Sequence, residues 1–151
     1  QRIGARAQQV SYKGNAPALV DVLAGHVPIM FANVSEALPY ASGGNVRLLA
    51  VTSAMRTAHL PGVPTLAEAG LAGFHAITWN GLVAPARTPR ALVERISVAL
   101  QQGIRTPSAI KRFSELGVDP VGSTPAQFSE RIRADLPLWA AAVKTSGARS
   151  D

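Results

Sequence analysis

The chain has no cysteine among its 151 residues. Disulfide staples, thiolate nucleophiles and Cys-ligated metals are thereby excluded, while the compartment stays open, because large exported domains often do without disulfides. Aromatics make up only 5%, so Ala, Val, Leu and Ile must fill most of any core. Acids are scarce as well: 9 Asp and Glu stand against 15 Lys and Arg, a formal charge of +6. No pair of carboxylates stands out as a general acid and base. No apolar run approaches the roughly 20 residues that span a bilayer. The opening QRIGARAQQV lacks the apolar stretch of a signal peptide. A chain beginning at Gln1 rather than Met is expected to be a processed, excised or truncated product.

Catalytic patterns are missing too. His26, His59 and His75 are isolated, without metal-ligand spacing. There is no G-x-S-x-G elbow, no P-loop and no G-x-G-x-x-G. The chain is therefore expected to be no enzyme, to hold no metal and to need no cofactor. Like charges never gather into a run of about five or six. Such scattered cations, with few aromatics to stack on bases, make a small basic nucleic-acid-binding module a distant alternative, and no nucleic-acid partner is expected.

What is present is an alternation of strand-like and helix-like segments. With 47% hydrophobic residues the chain is expected to fold as a globular domain. Gln9 to Tyr12 reads as a short strand, Val27 to Phe31 as a buried one, Arg47 to Thr52 as a third and Ile77 to Ala84 as a fourth. Between them, Asn15 is placed to cap a helix running to about Ala24 and stopped by Gly25. Asn33-Val-Ser-Glu36 resembles a capping box opening a second helix, ended by Ser42-Gly43-Gly44. Thr65-Leu-Ala-Glu68 is another such box, opening a short helix stopped by Gly70. Strands alternating with helices imply an α/β fold with a mostly parallel sheet.

The last third is helical. Thr88-Pro89, Thr106-Pro107 and Thr124-Pro125 each have the form of a cap followed by a proline in the first turn. The final pattern carries Phe128, Ile132, Leu136, Trp139 and Val143 at helical spacing, with Pro137 inside it. The change near Pro85 divides the chain into an α/β segment, 1–82, and a helical segment, 83–151.

Binding equipment gathers around the first turn. Gly14-Asn15-Ala16-Pro17 joins a strand to a helix start, where unpaired N–H groups and the positive dipole end suit a carboxylate or phosphate. Tyr12, Asn33 and Thr52 end successive expected strands, and ligands of parallel sheets bind at that edge. Trp79 could wall a cavity or serve as a core indole. Asp21, Glu94 and Glu130 read as solvent-face helix residues.

The stretch Ser11 to Asn33, SYKGNAPALVDVLAGHVPIMFAN, resembles the signature of the Bug receptors, the substrate-binding proteins of tripartite tricarboxylate transporters. Further blocks fit in order: ALPYASGGNVRLLAVTSAMRTAHLPGVPTLAEAGLAGF, TWNGLVAPARTPRALVERI and ELGVDPVGSTPAQFSERIRADLPLWAAAVKTSG. The resemblance covers nearly the whole chain from about Gln9. It implies the second lobe of a type II periplasmic-binding-protein-like receptor, followed by a helical segment that returns toward a first lobe absent from this chain. The implied location is periplasmic. The implied ligand is a small carboxylate: a dicarboxylate, an amino acid or an aromatic acid. The implied partners are the membrane components of the transporter.

In that family, backbone donors and water on facing loops hold the ligand. The second-lobe loop corresponds here to Tyr12, Lys13, Gly14, Asn15, Ala16 and Pro17. The family usually has Gly where Asn15 stands, Asp where Pro28 stands and Asp where Ala32 stands, so the site here is less anionic. A half clamp is expected to bind weakly. The alternative is a truncated remnant that self-associates through the surface left by a missing first lobe.

Overall fold

The computed structural model describes residues 7–41 and 43–147. Ser42, one of the residues expected to end the second helix, lies outside them. Two units divide the chain. The first holds the residues up to Thr78 together with Leu116–Val118, and the second holds Trp79–Glu115 and the residues from Asp119 onward.

In the first unit, α1 spans Asn15–Leu23 and α2 spans Val34–Ala41. Gly14, rather than Asn15, is the N-cap of α1, at φ 103 and ψ 174. That corner of backbone space is nearly closed to residues with a Cβ. Asn15 is thus the first helical residue, and its side chain is released from capping. At α2, Glu36 reaches back to the Asn33 N–H at 3.0 Å, one half of the expected capping box. The other half is missing, because the Asn33 carboxamide oxygen accepts instead from the Thr78 hydroxyl at 2.8 Å.

The Thr65–Glu68 box is made in both directions, with Thr65 N–H to Glu68 Oε2 at 2.7 Å and Glu68 N–H to Thr65 Oγ1 at 3.1 Å. It closes a turn and opens no helix. The Leu71 N–H already bonds the Leu66 carbonyl at 2.9 Å, ending the chain reversal after one turn. Arg56 clamps this turn from outside, its Nε lying 3.1 and 3.0 Å from the two Glu68 oxygens. The Thr65 N–H, and after it Arg56, holds the Glu68 carboxyl below its ordinary range.

The mostly parallel sheet is not formed among the described residues. One parallel bridge, Val51 to Thr65, stands in its place. Gln9 to Tyr12, Val27 to Phe31, Arg47 to Thr52 and Ile77 to Ala84 run without ladders. A strand exists only where a second strand satisfies its donors and acceptors. Pro28 withdraws a donor from one segment, and Pro64 withdraws one beside Val51 in another. The fourth segment changes units between Thr78 and Trp79. Apolar residues expected to be covered on both faces therefore stand open, Ile29 at 59% and Phe31 at 76% exposure.

In the second unit, α3 (Arg90–Ile104) packs against α4 (Pro107–Glu115) and α5 (Pro125–Ser146). Pro89 rather than Thr88 takes the cap position of α3, while Pro107 and Pro125 open the next two helices as expected. Thr124 caps α5 in a complete box with Gln127. Helix α5 runs on through Pro137. No helix among the described residues is long and apolar enough to cross a membrane.

Burial is sparse: among the described residues only Leu19, Val51 and Thr65 are buried. The accessible surface is 11974 Å². A compact monomer of 15.8 kDa exposes about 7,300 Å², and two separate compact bodies of half that mass together about 8,800 Å². The excess thus does not depend on how the two units are arranged.

Candidate functional site

The first turn of α1 is the centre of the site. No side chain caps it, so the N–H groups of Asn15 and Ala16 remain available at the positive end of the helix. Pro17 lacks an N–H, but it sits in the first turn, where none is needed. Lys13 precedes the turn and is exposed.

Glu36 joins this turn to the start of α2. Its Oε2 accepts from the Asn15 side-chain nitrogen at 2.8 Å and from the Asn33 N–H at 3.0 Å. Asn15 and Asn33, expected on separate elements, are thereby brought to one carboxylate. Asn33 is fixed on its other side by Thr78, which leaves its amide N–H pair for a further acceptor. A cavity of about 260 Å³ opens here, lined in part by Asn15, Leu19, Met30, Glu36, Pro39 and Tyr40.

Tyr12, expected at the end of a strand, has its phenol engaged within the first unit. It donates to Asp21 Oδ2 at 2.6 Å, fastening the segment before α1 to the body of that helix. Asp21, expected on a solvent face, also meets His26 Nδ1 at 3.3 Å through its Oδ1. The bond to Tyr12, and then that to His26, lowers the Asp21 pKa, while the same bond to Asp21 raises that of the Tyr12 phenol.

Thr52 enters through its backbone, its carbonyl accepting from the Ala76 N–H at 2.9 Å. No hydrogen bond among the described residues joins it to Asn15 or Asn33. Trp79 belongs to the second unit. There its indole N–H donates to Asp135 Oδ2 at 2.8 Å, and its ring meets Phe128 edge-on at 4.9 Å. The same Asp135 oxygen accepts from Arg131 Nε at 2.9 Å. Trp79 is thus a strut on α5. Among the described residues no group of His, Asp and Glu could hold a metal ion.

Sequence reasoning did not assign Glu36, Thr78, Asp21 or Asp135 to these networks. Glu36 carried a signal as the last residue of a capping box. Tyr12 to Asp21, Asn33 to Thr78 and Trp79 to Asp135 span nine, 45 and 56 residues, beyond any local pattern.

The sequence matches the family described as "Tripartite tricarboxylate transporter family receptor" over residues 1–147. A Pseudomonas sp. relative, a "UPF0065 protein in tcbD-tcbE intergenic region", is 37% identical over 131 residues, which is 86% of this chain and 39% of the relative. The solved structure of "periplasmic binding protein BugD" superposes with a TM-score of 0.85 at 30% identity, covering 99% of this chain and 51% of that one. "R. palustris Rpa4515 with adipate" gives a TM-score of 0.83 at 33% identity, covering 91% of this chain and 46% of that one. The chain thus spans about half the length of these solved relatives, and under half of the Pseudomonas protein.

Proposed function

Because the chain belongs to the tripartite tricarboxylate transporter receptor family, we propose that it supplies the second-lobe part of a periplasmic solute-binding receptor. That receptor takes a small carboxylate and delivers it to the membrane components of the transporter. The observation that carries this reading is the uncapped start of α1, with Gly14 at a backbone angle that leaves the Asn15 and Ala16 N–H groups open. A carboxylate accepts from such donors and is favoured by the helix dipole. Lys13 adds a positive charge beside it, and Asn33 offers its amide N–H pair. Tyr12 acts through its phenol oxygen, whose proton is committed to Asp21. Thr52 and Trp79 make no part of the carboxylate contact. Family members are receptors, and nothing asked of these residues is chemistry beyond binding.

Half a clamp covers its ligand from one side, so affinity is low. Amide chemical shifts, followed while dicarboxylates, amino acids and aromatic acids are titrated to millimolar levels, test the reading. Shifts centred on Gly14, Asn15 and Ala16 are expected. A panel in which no carboxylate moves these amides refutes it.

A second reading, self-association, is favoured by the exposed apolar surface. On α5 alone, Leu136, Leu138 and Val143 are 62%, 56% and 51% exposed. A standard interface hides about 800 Å² per partner, well within the excess over two compact half-mass bodies. Sedimentation at rising concentration tests it: a mass that grows with concentration is expected, and a monomer at all concentrations excludes it.

A further inference from the structure

We infer that Glu36 is a specificity-determining residue of this pocket, turning away ligands that bring a second carboxylate and accepting those whose far end is neutral or cationic. The inference rests on the carboxylate-receptor reading above and goes further, to which carboxylates fit.

The pocket beside α1 measures about 260 Å³, slightly under the usual range of roughly 300–1,000 Å³ for small-molecule sites. A six-carbon acid is of a suitable size. Leu19, Met30 and Pro39 give the pocket an apolar wall for a methylene chain. Among the described residues that line it, Glu36 is the one that carries a charge, and none is Lys, Arg or His. A second ligand carboxylate placed there would meet a like charge with no cation among the described lining residues to offset it.

Glu36 is also held in place. Its Oε2 takes the Asn15 side chain at 2.8 Å and the Asn33 N–H at 3.0 Å. The Asn15 bond exists only because Gly14, and not Asn15, caps α1. Asn15 thus fixes a carboxylate in the pocket wall. The Glu36 charge also sits between two helix starts, where it competes for the same positive ends that attract a ligand carboxylate. An ammonium or hydroxyl at the far end of a ligand gains an acceptor there, while a carboxylate gains only repulsion.

Amide shift titrations of the wild-type chain with adipate, monomethyl adipate and 6-aminohexanoate test this without any substitution. The three share a chain length and differ in the charge at one end. Monomethyl adipate and 6-aminohexanoate are expected to bind on the order of ten-fold more tightly than adipate, from one like-charge contact at partial exposure. Glu36→Gln keeps an oxygen for both hydrogen bonds and removes the charge, and should bring adipate to within about two-fold of its monoester. Asn15→Ala removes the bond and keeps the charge, and should retain most of the discrimination. Adipate binding wild type as tightly as the monoester, or an unchanged ratio in Glu36→Gln, overturns the inference while leaving the receptor reading intact. Absence of any shift at Gly14 to Ala16 with all three acids refutes the receptor reading itself, and the inference with it.

Discussion

Replacing Asp135 by alanine removes a carboxylate that ties the Trp79 segment to α5. The loss can be built from its parts. A hydrogen bond to a charged acceptor contributes about 1.5–3 kcal/mol, and the low end applies because Trp79 is 42% exposed. The Arg131 pair at i, i+4 adds about 0.3–0.5 kcal/mol, reduced by solvent since Arg131 is 39% exposed. Asp135→Ala should therefore cost the second unit about 2 kcal/mol. Asp135→Asn keeps an oxygen for the indole and loses only the charge, so it should cost roughly 0.5–1 kcal/mol. For a body of this size 1 kcal/mol shifts Tm by about 4–8 °C, so the alanine variant should melt roughly 8–16 °C lower. Melts followed by circular dichroism and by Trp79 fluorescence, in a Trp139→Phe background, give both values. Equal losses for alanine and asparagine, or an alanine variant within about 0.5 kcal/mol of wild type, would show that the carboxylate does not hold Trp79.

Four further outcomes are expected. Gly14→Ala places a Cβ at φ 103 and ψ 174, at a cost of about 1–3 kcal/mol, and should abolish carboxylate-induced shifts at Asn15 and Ala16; retained shifts would remove Gly14 from the argument. Gly81→Ala sets a Cβ into the Phe128 ring, so it should displace that ring from Trp79, cost about 1–3 kcal/mol and change the near-ultraviolet circular dichroism, an unchanged spectrum counting against this packing. The Arg56–Glu68 clamp has a depressed carboxyl, so its contribution is complete above the ordinary glutamate pKa of about 4.3 and is lost as pH falls through the lower folded value. The link from Tyr12 to Asp21 has a depressed acid and a raised phenol, so it should fail at both extremes: as pH falls below the ordinary aspartate value near 3.9, and as it rises past the ordinary tyrosine value near 10. Amide exchange at Thr65 and the Tyr12 ring shifts report the two links separately.

The helices were legible because their signals are local. Thr124 with Gln127, the proline-bearing starts at Pro107 and Pro125, and the break after Leu23 are written within a few residues of each boundary. The glycine turn before α1 was legible for the same reason, although the cap lies one residue earlier than Asn15. The sheet was not, because a strand is a property of two segments, and apolar alternation states only that a partner is wanted. Val27 to Phe31 has the composition of a buried strand and no ladder beside it among the described residues. The side-chain links of the site were illegible on other grounds: Asn33 to Thr78 and Trp79 to Asp135 join distant positions by single bonds that leave no periodic trace. Thr65–Glu68 shows the limit of a good local signal, since both capping bonds form and the helix does not follow.

The sparse burial has a calorimetric consequence. A fully extended chain of this mass exposes about 22,900 Å², so unfolding from 11974 Å² uncovers about 0.8 of the area that two compact bodies of half that mass would uncover. Heat-capacity change and denaturant slope both scale with that area. The chain should therefore unfold with a flat stability curve and a broad urea transition. Any partner that covers the apolar faces of Ile29, Phe31 and α5 would steepen both, making transition breadth itself a readout of assembly.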